Sequence, residues 1–228
     1  MDQTKIPRHI GIIMDGNGRW ASLKGKERSF GHKQGSKNVE KIVSHAFSLG
    51  VENVSLFAFS SENWQRPKEE VDELMRLLSY YFKKFLTTFT KNKIRLRIMG
   101  DVSVLPNKLQ KEIADLTAKT SEFTSHTLNI GINYGGRQEI VKAVKDVIKS
   151  GKEISLEEIS KNLYTYDLGE PDLIIRTGGE YRISNFMLFQ GAYSELYFTP
   201  VLWPDFDEKH LEEALDAYSL RKRRFGKI

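Results

Sequence analysis

The chain has 228 residues, with 35 Lys and Arg against 30 Asp and Glu and a formal net charge of +5 at pH 7. Its 39% hydrophobic and 29% charged residues fit a globular chain with a core of its own and exclude fibrous or disordered classes. The lack of cysteine excludes disulfides, thiolate catalysis and cysteine zinc sites. The basic surplus admits an anionic partner: a phosphate-bearing substrate, a nucleic acid or a lipid surface. No apolar stretch reaches the length of a membrane span, and the opening MDQTKIPRH has no apolar signal core, so a cytoplasmic location is expected.

The first predicted strand, Ile10–Met14, is an apolar run that stops at Asp15 and gives way to Gly16-Asn17-Gly18-Arg19-Trp20. Asp15 offers the oxygen that a hard cation such as Mg²⁺ prefers. The glycines let backbone approach a ligand, and Arg19 can grip phosphate oxygens in bidentate fashion. Taken alone, the segment is equally well explained as a strand-to-loop turn. A helix marked by Val39, Ile42, Val43, Ala46 and Phe47 ends near Gly50, and a strand over Val54–Phe59 follows.

Lys68 to Asn92 is predicted as a long helix whose Val71, Leu74, Leu78, Tyr81, Phe82, Phe85, Leu86 and Phe89 form a broad apolar face. That face either packs in the core or lines a tunnel for an apolar ligand. Strands over Ile94–Met99 and Leu128–Ile132 bracket a helix that starts after Pro106 and carries Leu109, Ile113 and Leu116. Ile140, Val141, Val144 and Ile148 mark another helix, ended near Gly151. Strands over Leu173–Ile175 and Leu196–Phe198 precede a last helix with Leu211, Leu215 and Tyr218, capped by Asp207. The alternation predicts one α/β domain over residues 1–228, with a mainly parallel central sheet flanked by helices.

In such a sheet ligands bind beyond the carboxyl ends of the strands. The exits carry Asp15 to Trp20, Ser60 to Pro67, Gly100-Asp101, Asn133 to Arg137, and Arg176 to Asn185. Each has a turn explanation singly; their shared edge is harder to explain that way. Arg19, Arg28, Arg66, Arg176 and Arg182 exceed what one phosphate needs, and Ser184 adds a hydroxyl donor. Two anion subsites and a carboxylate-bound metal therefore point to two phosphorylated ligands side by side. Glu195, in an apolar setting before the last strand, is either a structural ion-pair partner or a second metal ligand.

The segments HIGIIMDGNGRWA, GHKQG at Gly31–Gly35, FAFSSENWQRP, LRIMGD, NYGGRQEI, DLIIRTGGEYRISNFMLFQ and ELYFTPVLWPDF run in order from about His9 to Phe225. Together they resemble the cis-prenyltransferases, and among these the bacterial undecaprenyl diphosphate synthases or isoprenyl transferases. The resemblance implies a Mg²⁺-dependent homodimer that condenses an allylic diphosphate, usually farnesyl diphosphate, with successive isopentenyl diphosphates. The expected product is a long cis-polyprenyl diphosphate, undecaprenyl diphosphate for cell-wall lipid carriers, grown in a hydrophobic tunnel. By position, Asp15 matches the catalytic, metal-binding aspartate, and Glu195 a second metal-linked carboxylate. Gly16, Asn17, Gly18, Arg19, Trp20, Arg28 and His32 match the allylic-substrate set. Ser60, Ser61, Glu62, Trp64 and Arg66 match the second substrate motif, with Asn63 at the proton-acceptor position. Arg176, Arg182, Ile183 and Ser184 match the isopentenyl diphosphate site. Tyr181 stands where some members have histidine, and Phe189 where tryptophan is common. A neutral Asn is a poor base, so the residues themselves point to Asn63 orienting substrate while a diphosphate oxygen takes the proton.

Other classes fare worse. No Gly-x-x-x-x-Gly-Lys-Ser/Thr loop occurs, and Asn17 stands where a DxD phosphatase needs its second carboxylate. The arginines adjoin glycine turns rather than forming one stripe, against a nucleic-acid partner. A non-catalytic prenyltransferase-like subunit is the alternative within the family, yet Asp15, Asn63, Arg176 and Arg182 are all present. The Arg221-Lys222-Arg223-Arg224 run reads as a solvated helix end, with peripheral docking at the inner face of an anionic membrane as a second reading.

Overall fold

The computed structural model describes residues 6–221, the side chains of 85–87 excepted. Among these residues six strands form one sheet: β1 (His9–Ile13), β2 (Asn53–Ser60), β3 (Ile94–Met99), β4 (His126–Tyr134), β5 (Leu173–Arg176) and β6 (Glu195–Phe198). Their order is β3-β4-β2-β1-β5-β6, and every pairing is parallel. All residues of β1 and β5 are buried, as strands covered on both faces must be. From β1 the chain builds outward on one side, then crosses back to add β5 on the other. The crevice beyond β1 is therefore the switch point at which open α/β sheets bind ligands.

The helices are α1 (Asn17–Leu23), α2 (Arg28–Ser48), α3 (Lys68–Lys91), α4 (Asn107–Thr120), α5 (Gly136–Lys149), α6 (Leu156–Lys161) and α7 (Glu208–Ser219). Ser61–Gln65 forms a 3₁₀ turn. The expected strands all exist, within one or two residues at each end. Sequence reading missed α1 and α6, and started α2 at Val39 although it begins at Arg28. Glycines and charged residues dilute the apolar period over that first half of α2.

One face of the sheet, with Ile10, Ile12, Val54, Leu56 and Leu128, packs under α2, α3, α4 and α7. The other carries Ile13, Met99, Tyr134, Ile174, Phe186 and Met187. Phe89, 3% exposed, belongs to the first cluster, so the core explanation holds for it; the side chains of Phe85 and Leu86 lie outside the described residues. α5 exists as expected but presents another face. It buries Gly136, Glu139, Ala143 and Val147, while Val141 and Ile148 are more than half exposed. The reason is Glu139: its carboxylate accepts from Tyr134 Oη at 2.5 Å, Gln190 Nε2 at 2.9 Å and Tyr164 N–H at 2.8 Å, a satisfied buried charge that turns the helix inward.

A second polar thread crosses the sheet. His9 Nδ1 lies 3.0 Å from Gly169 O and Nε2 2.7 Å from Ser55 Oγ. A carbonyl only accepts, so Nδ1 carries the proton and Nε2 accepts from Ser55, which accepts in turn from Asn129 Nδ2 at 3.1 Å. Burial pushes His9 down to about 4 from 6.5. The unfolded chain then takes up a proton between pH 6.5 and 4 that the folded chain refuses. This contribution to stability is complete above the unfolded value and is lost as pH falls through the window, by at most about 1.4 kcal/mol per pH unit. Urea unfolding from pH 7 to 5 should show that slope, and His9→Gln should flatten it; identical slopes would contradict the neutral assignment.

Candidate active site

Asp15 stands two residues beyond the end of β1. Its N–H donates to Ile13 O at 3.0 Å, and its carbonyl accepts from Thr177 Oγ1 at 2.7 Å and Trp203 N–H at 3.0 Å. Gly16 then takes φ +106°, and a Cβ there would meet Leu202 Cδ2 at 2.7 Å. This bend launches α1 at Asn17, whose Nδ2 donates back to Met14 O at 3.1 Å. α1 seats on α2 through the glycines of the GHKQG segment. A Cβ on Gly31 would stand 1.9 Å from Asn17 O, and one on Gly35 1.9 Å from Asn17 Oδ1. What sequence reading took for a loop is thus a helix pressed against its neighbour by missing side chains.

Arg176 ends β5, level with Ile13, and is 4% exposed. Its Nη2 donates to Asp15 Oδ2 at 2.9 Å, while Nη1 donates to Ser184 Oγ at 2.7 Å and to the Arg182 carbonyl. Asp15 also lies 3.3 Å from Arg19 Nη2. One buried guanidinium therefore joins the first strand's carboxylate to the segment after the fifth strand. Removing Asp15 would leave the buried guanidinium without its counter-charge. Ser184 and Asn185 both sit at positive φ, +48° and +66°. Asn185 holds that shape: its Oδ1 accepts from Arg137 N–H at 2.9 Å, and its carbonyl from Gly136 N–H at 2.7 Å. Its Nδ2 donates to Glu62 Oε1 at 2.9 Å and Gln138 Oε1 at 3.1 Å. Sequence reading passed over Asn185 as a site residue.

A second corner gathers around Glu70, in the first turn of α3. Arg66 Nη1 lies 3.1 Å from its carboxylate, Arg28 Nε 3.3 Å and His32 Nε2 3.4 Å. Burial pushes the Glu70 carboxyl up, but Arg28, Arg66 and His32 together hold it below its ordinary value. Burial, aided by Arg66, keeps the His32 imidazole below its ordinary value against the pull of Glu70, so it is neutral at pH 7. The four-residue step from Arg66 to Glu70 was the available sequence signal for this carboxylate.

Both corners open on one cavity of about 620 Å³. Asp15, Asn17, His32, Ser60, Glu62, Asn63, Arg66, Arg176 and Ser184 line its polar part. Val39, Leu56, Ala58, Leu74, Leu77, Leu78, Tyr81 and Phe82 line its apolar part, so α3 supplies much of one wall. Asn63 Oδ1 accepts from Ser60 N–H at 3.0 Å within a capping box, which commits the acceptor atom that a proton-removing role would need.

Other expected site residues stand around this cavity rather than on it. Gly18 lies beneath the Arg28 guanidinium, and Ser61 Oγ is buried without a hydrogen-bond partner. Trp20 Nε1 donates to Asp205 at 2.7 Å and Trp64 Nε1 to Asn133 at 2.8 Å, so both indoles brace loops. Arg182 donates to Glu180 at 2.6 Å, and Ile183 packs on the second core cluster. Glu195 also stands off this cavity. It opens β6 opposite Leu173, three residues or about 10 Å of strand before the Arg176 level, and it accepts from Arg221 Nη1 at 2.7 Å. Within this chain Glu195 thus forms an ion pair. Lys222 to Arg224 lie outside the described residues.

Among the described residues no group of three or more His, Cys, Asp and Glu gathers as a metal cage. Asp15, 30% exposed, is a single hard-oxygen donor. That donor set fits Mg²⁺, which is held by one or two carboxylates when phosphates complete its shell.

A charged mouth over an apolar body, at the switch point of a parallel sheet, defines an α/β enzyme for anionic amphiphiles. Residues 13–226 match the family described as putative undecaprenyl diphosphate synthase. The chain belongs to that family and is a cis-prenyltransferase. It is 52% identical over 227 residues to the isoprenyl transferase of Fusobacterium nucleatum, covering 99% of this chain and 98% of that one. It is 49% identical to the Escherichia coli ditrans,polycis-undecaprenyl-diphosphate synthase specific for (2E,6E)-farnesyl diphosphate, covering 96% and 89%. The crystal structure of lavandulyl diphosphate synthase from Lavandula x intermedia, in complex with dimethylallyl diphosphate, superposes with a TM-score of 0.94. That structure shares 34% identity, with 98% and 100% of the two chains covered.

Gly31→Ala should drive α1 off α2, costing about 1–3 kcal/mol as an overpacked contact and lowering turnover with it. Thermal unfolding and prenyl transfer measured on the variant check this; wild-type values for both would show that the α1 seat does not depend on the missing Cβ.

Proposed function

We propose that the chain condenses farnesyl diphosphate, as the allylic starter, with successive isopentenyl diphosphates to give undecaprenyl diphosphate or a polyprenyl diphosphate of similar length. The observation that carries this reading is the single cavity that runs from Asp15 and Arg176 to the apolar wall of α3. A diphosphate needs the former and a growing isoprenoid chain the latter, and here they are continuous. Relatives named for the same chemistry over nearly the whole chain support it.

Ionising the allylic C–O bond moves an electron pair onto the diphosphate, and guanidinium donors aimed at that charge stabilise the transition state. Arg28, His32 and Arg66 stand at one corner for this leaving group, while Arg176 and Ser184 stand at the other for isopentenyl diphosphate. Apolar walls keep water from the allylic cation. The alkene of isopentenyl diphosphate attacks it, forming the new C–C bond, and one proton leaves. With Asn63 Oδ1 held by Ser60 N–H, Asn63 orients substrate through its amide nitrogen, and a diphosphate oxygen accepts the proton. Mg²⁺ bound through Asp15 would neutralise diphosphate charge. No described helix is long and apolar enough to cross a membrane.

Asp15→Asn, which keeps an oxygen to accept from Arg176 Nη2, should retain the fold and reduce incorporation of labelled isopentenyl diphosphate by a factor on the order of 10² or more. Near-normal incorporation would remove Asp15 from the chemistry. Leu78→Trp fills the apolar part of the cavity and should shorten the product chains resolved by mass analysis. Products of unchanged length would mean that chain growth does not run along α3.

A further inference from the structure

Among the described residues, Glu70 is the carboxylate that pairs with two guanidinium groups and a neutral imidazole at this corner. Its partners come from different segments: Arg28 and His32 from α2, Arg66 from the turn before α3. Its side chain is only 15% exposed, whereas Arg28 is 58% exposed, so the carboxylate sits beneath the cations and the cations face outward. A diphosphate arriving at this corner draws on the same N–H donors that Glu70 already occupies, and it meets a negative charge directly behind them. Each condensation ends with free diphosphate in that place, and two arginines without a counter-charge would hold it.

On the reading of this corner as the leaving-group end of the cavity, we infer that Glu70 is a positioning residue which acts through Arg28, His32 and Arg66 to keep diphosphate affinity low enough for product release. Two roles of Glu70 are separable by chemistry. Glu70→Gln keeps a carbonyl oxygen that accepts from Arg66 and removes the charge. Glu70→Asp keeps the charge on a shorter arm. A purely structural role predicts weaker anion binding in both variants, because the arginines lose their alignment.

The experiment is calorimetric titration of the full chain with inorganic pyrophosphate, alongside steady-state kcat and KM for the allylic diphosphate. Glu70→Gln should bind pyrophosphate about three- to tenfold more tightly, the combined effect expected from two partly exposed ion pairs. Its KM and kcat should fall together as release slows, and Glu70→Asp should restore wild-type affinity. Unchanged or weaker pyrophosphate binding by Glu70→Gln, with normal binding by the wild type that Arg66→Ala abolishes, would overturn the inference and leave the site reading intact. Absence of binding to the wild type itself would overturn both.

Discussion

The contact between Arg176 and Asp15 is the constraint from which the site follows. It joins the ends of two neighbouring parallel strands, β5 and β1, at the level where the sheet's order reverses. A guanidinium that is 4% exposed cannot go without partners, so β5 can end there only if Asp15, Ser184 and the Arg182 carbonyl meet it. The loop after β5 must therefore fold back over the sheet, and the strained backbone at Ser184 and Asn185 is part of that return. Stability and function are coupled here: the charge that organises the loop is also the charge that would meet a diphosphate.

The same arrangement sorts the arginines by task. Arg176 is buried, with both terminal nitrogens engaged and Nε without a hydrogen-bond partner, a fixed post. Arg19, Arg28, Arg66 and Arg182 are each tied to a carboxylate, Asp15, Glu70 or Glu180, at a more exposed rim. Rim pairs of this kind are individually weak. They hold side chains near a position yet yield to a better anion, which is what a site needs if it must bind and release diphosphate repeatedly. The apolar half of the cavity is made differently, from the inner face of α3 laid across the sheet over Leu56, Ala58 and Ile130. One helix thus contributes its first turn to the charged corner and its next turns to the hydrocarbon wall.

Much of this was legible in the residues. Continuous β-branched runs located the strands, and the polar residues after each run located the edge on which Asp15, Ser60, Asn63 and Arg176 meet. What escaped depends on distance across the fold. The α1 helix hides behind glycines whose purpose is visible only once Asn17 is seen against Gly31 and Gly35. The inward face of α5 is set by a buried Glu139, which a count of apolar residues assigns to solvent. The level of Glu195 relative to Arg176 is set by strand register, which is a property of pairing rather than of local sequence. Asn185 and Glu70 were overlooked because each earns its place through contacts with segments remote in the chain or hidden in a charged helix start.

The most direct test is a crystal structure with a non-reactive thiolo analogue of farnesyl diphosphate. The account predicts the diphosphate at the Arg28, His32 and Arg66 corner near Asp15, and the prenyl chain along Leu74, Leu78 and Phe82. A diphosphate bound elsewhere, or a prenyl chain lying outside the cavity under α3, would contradict it.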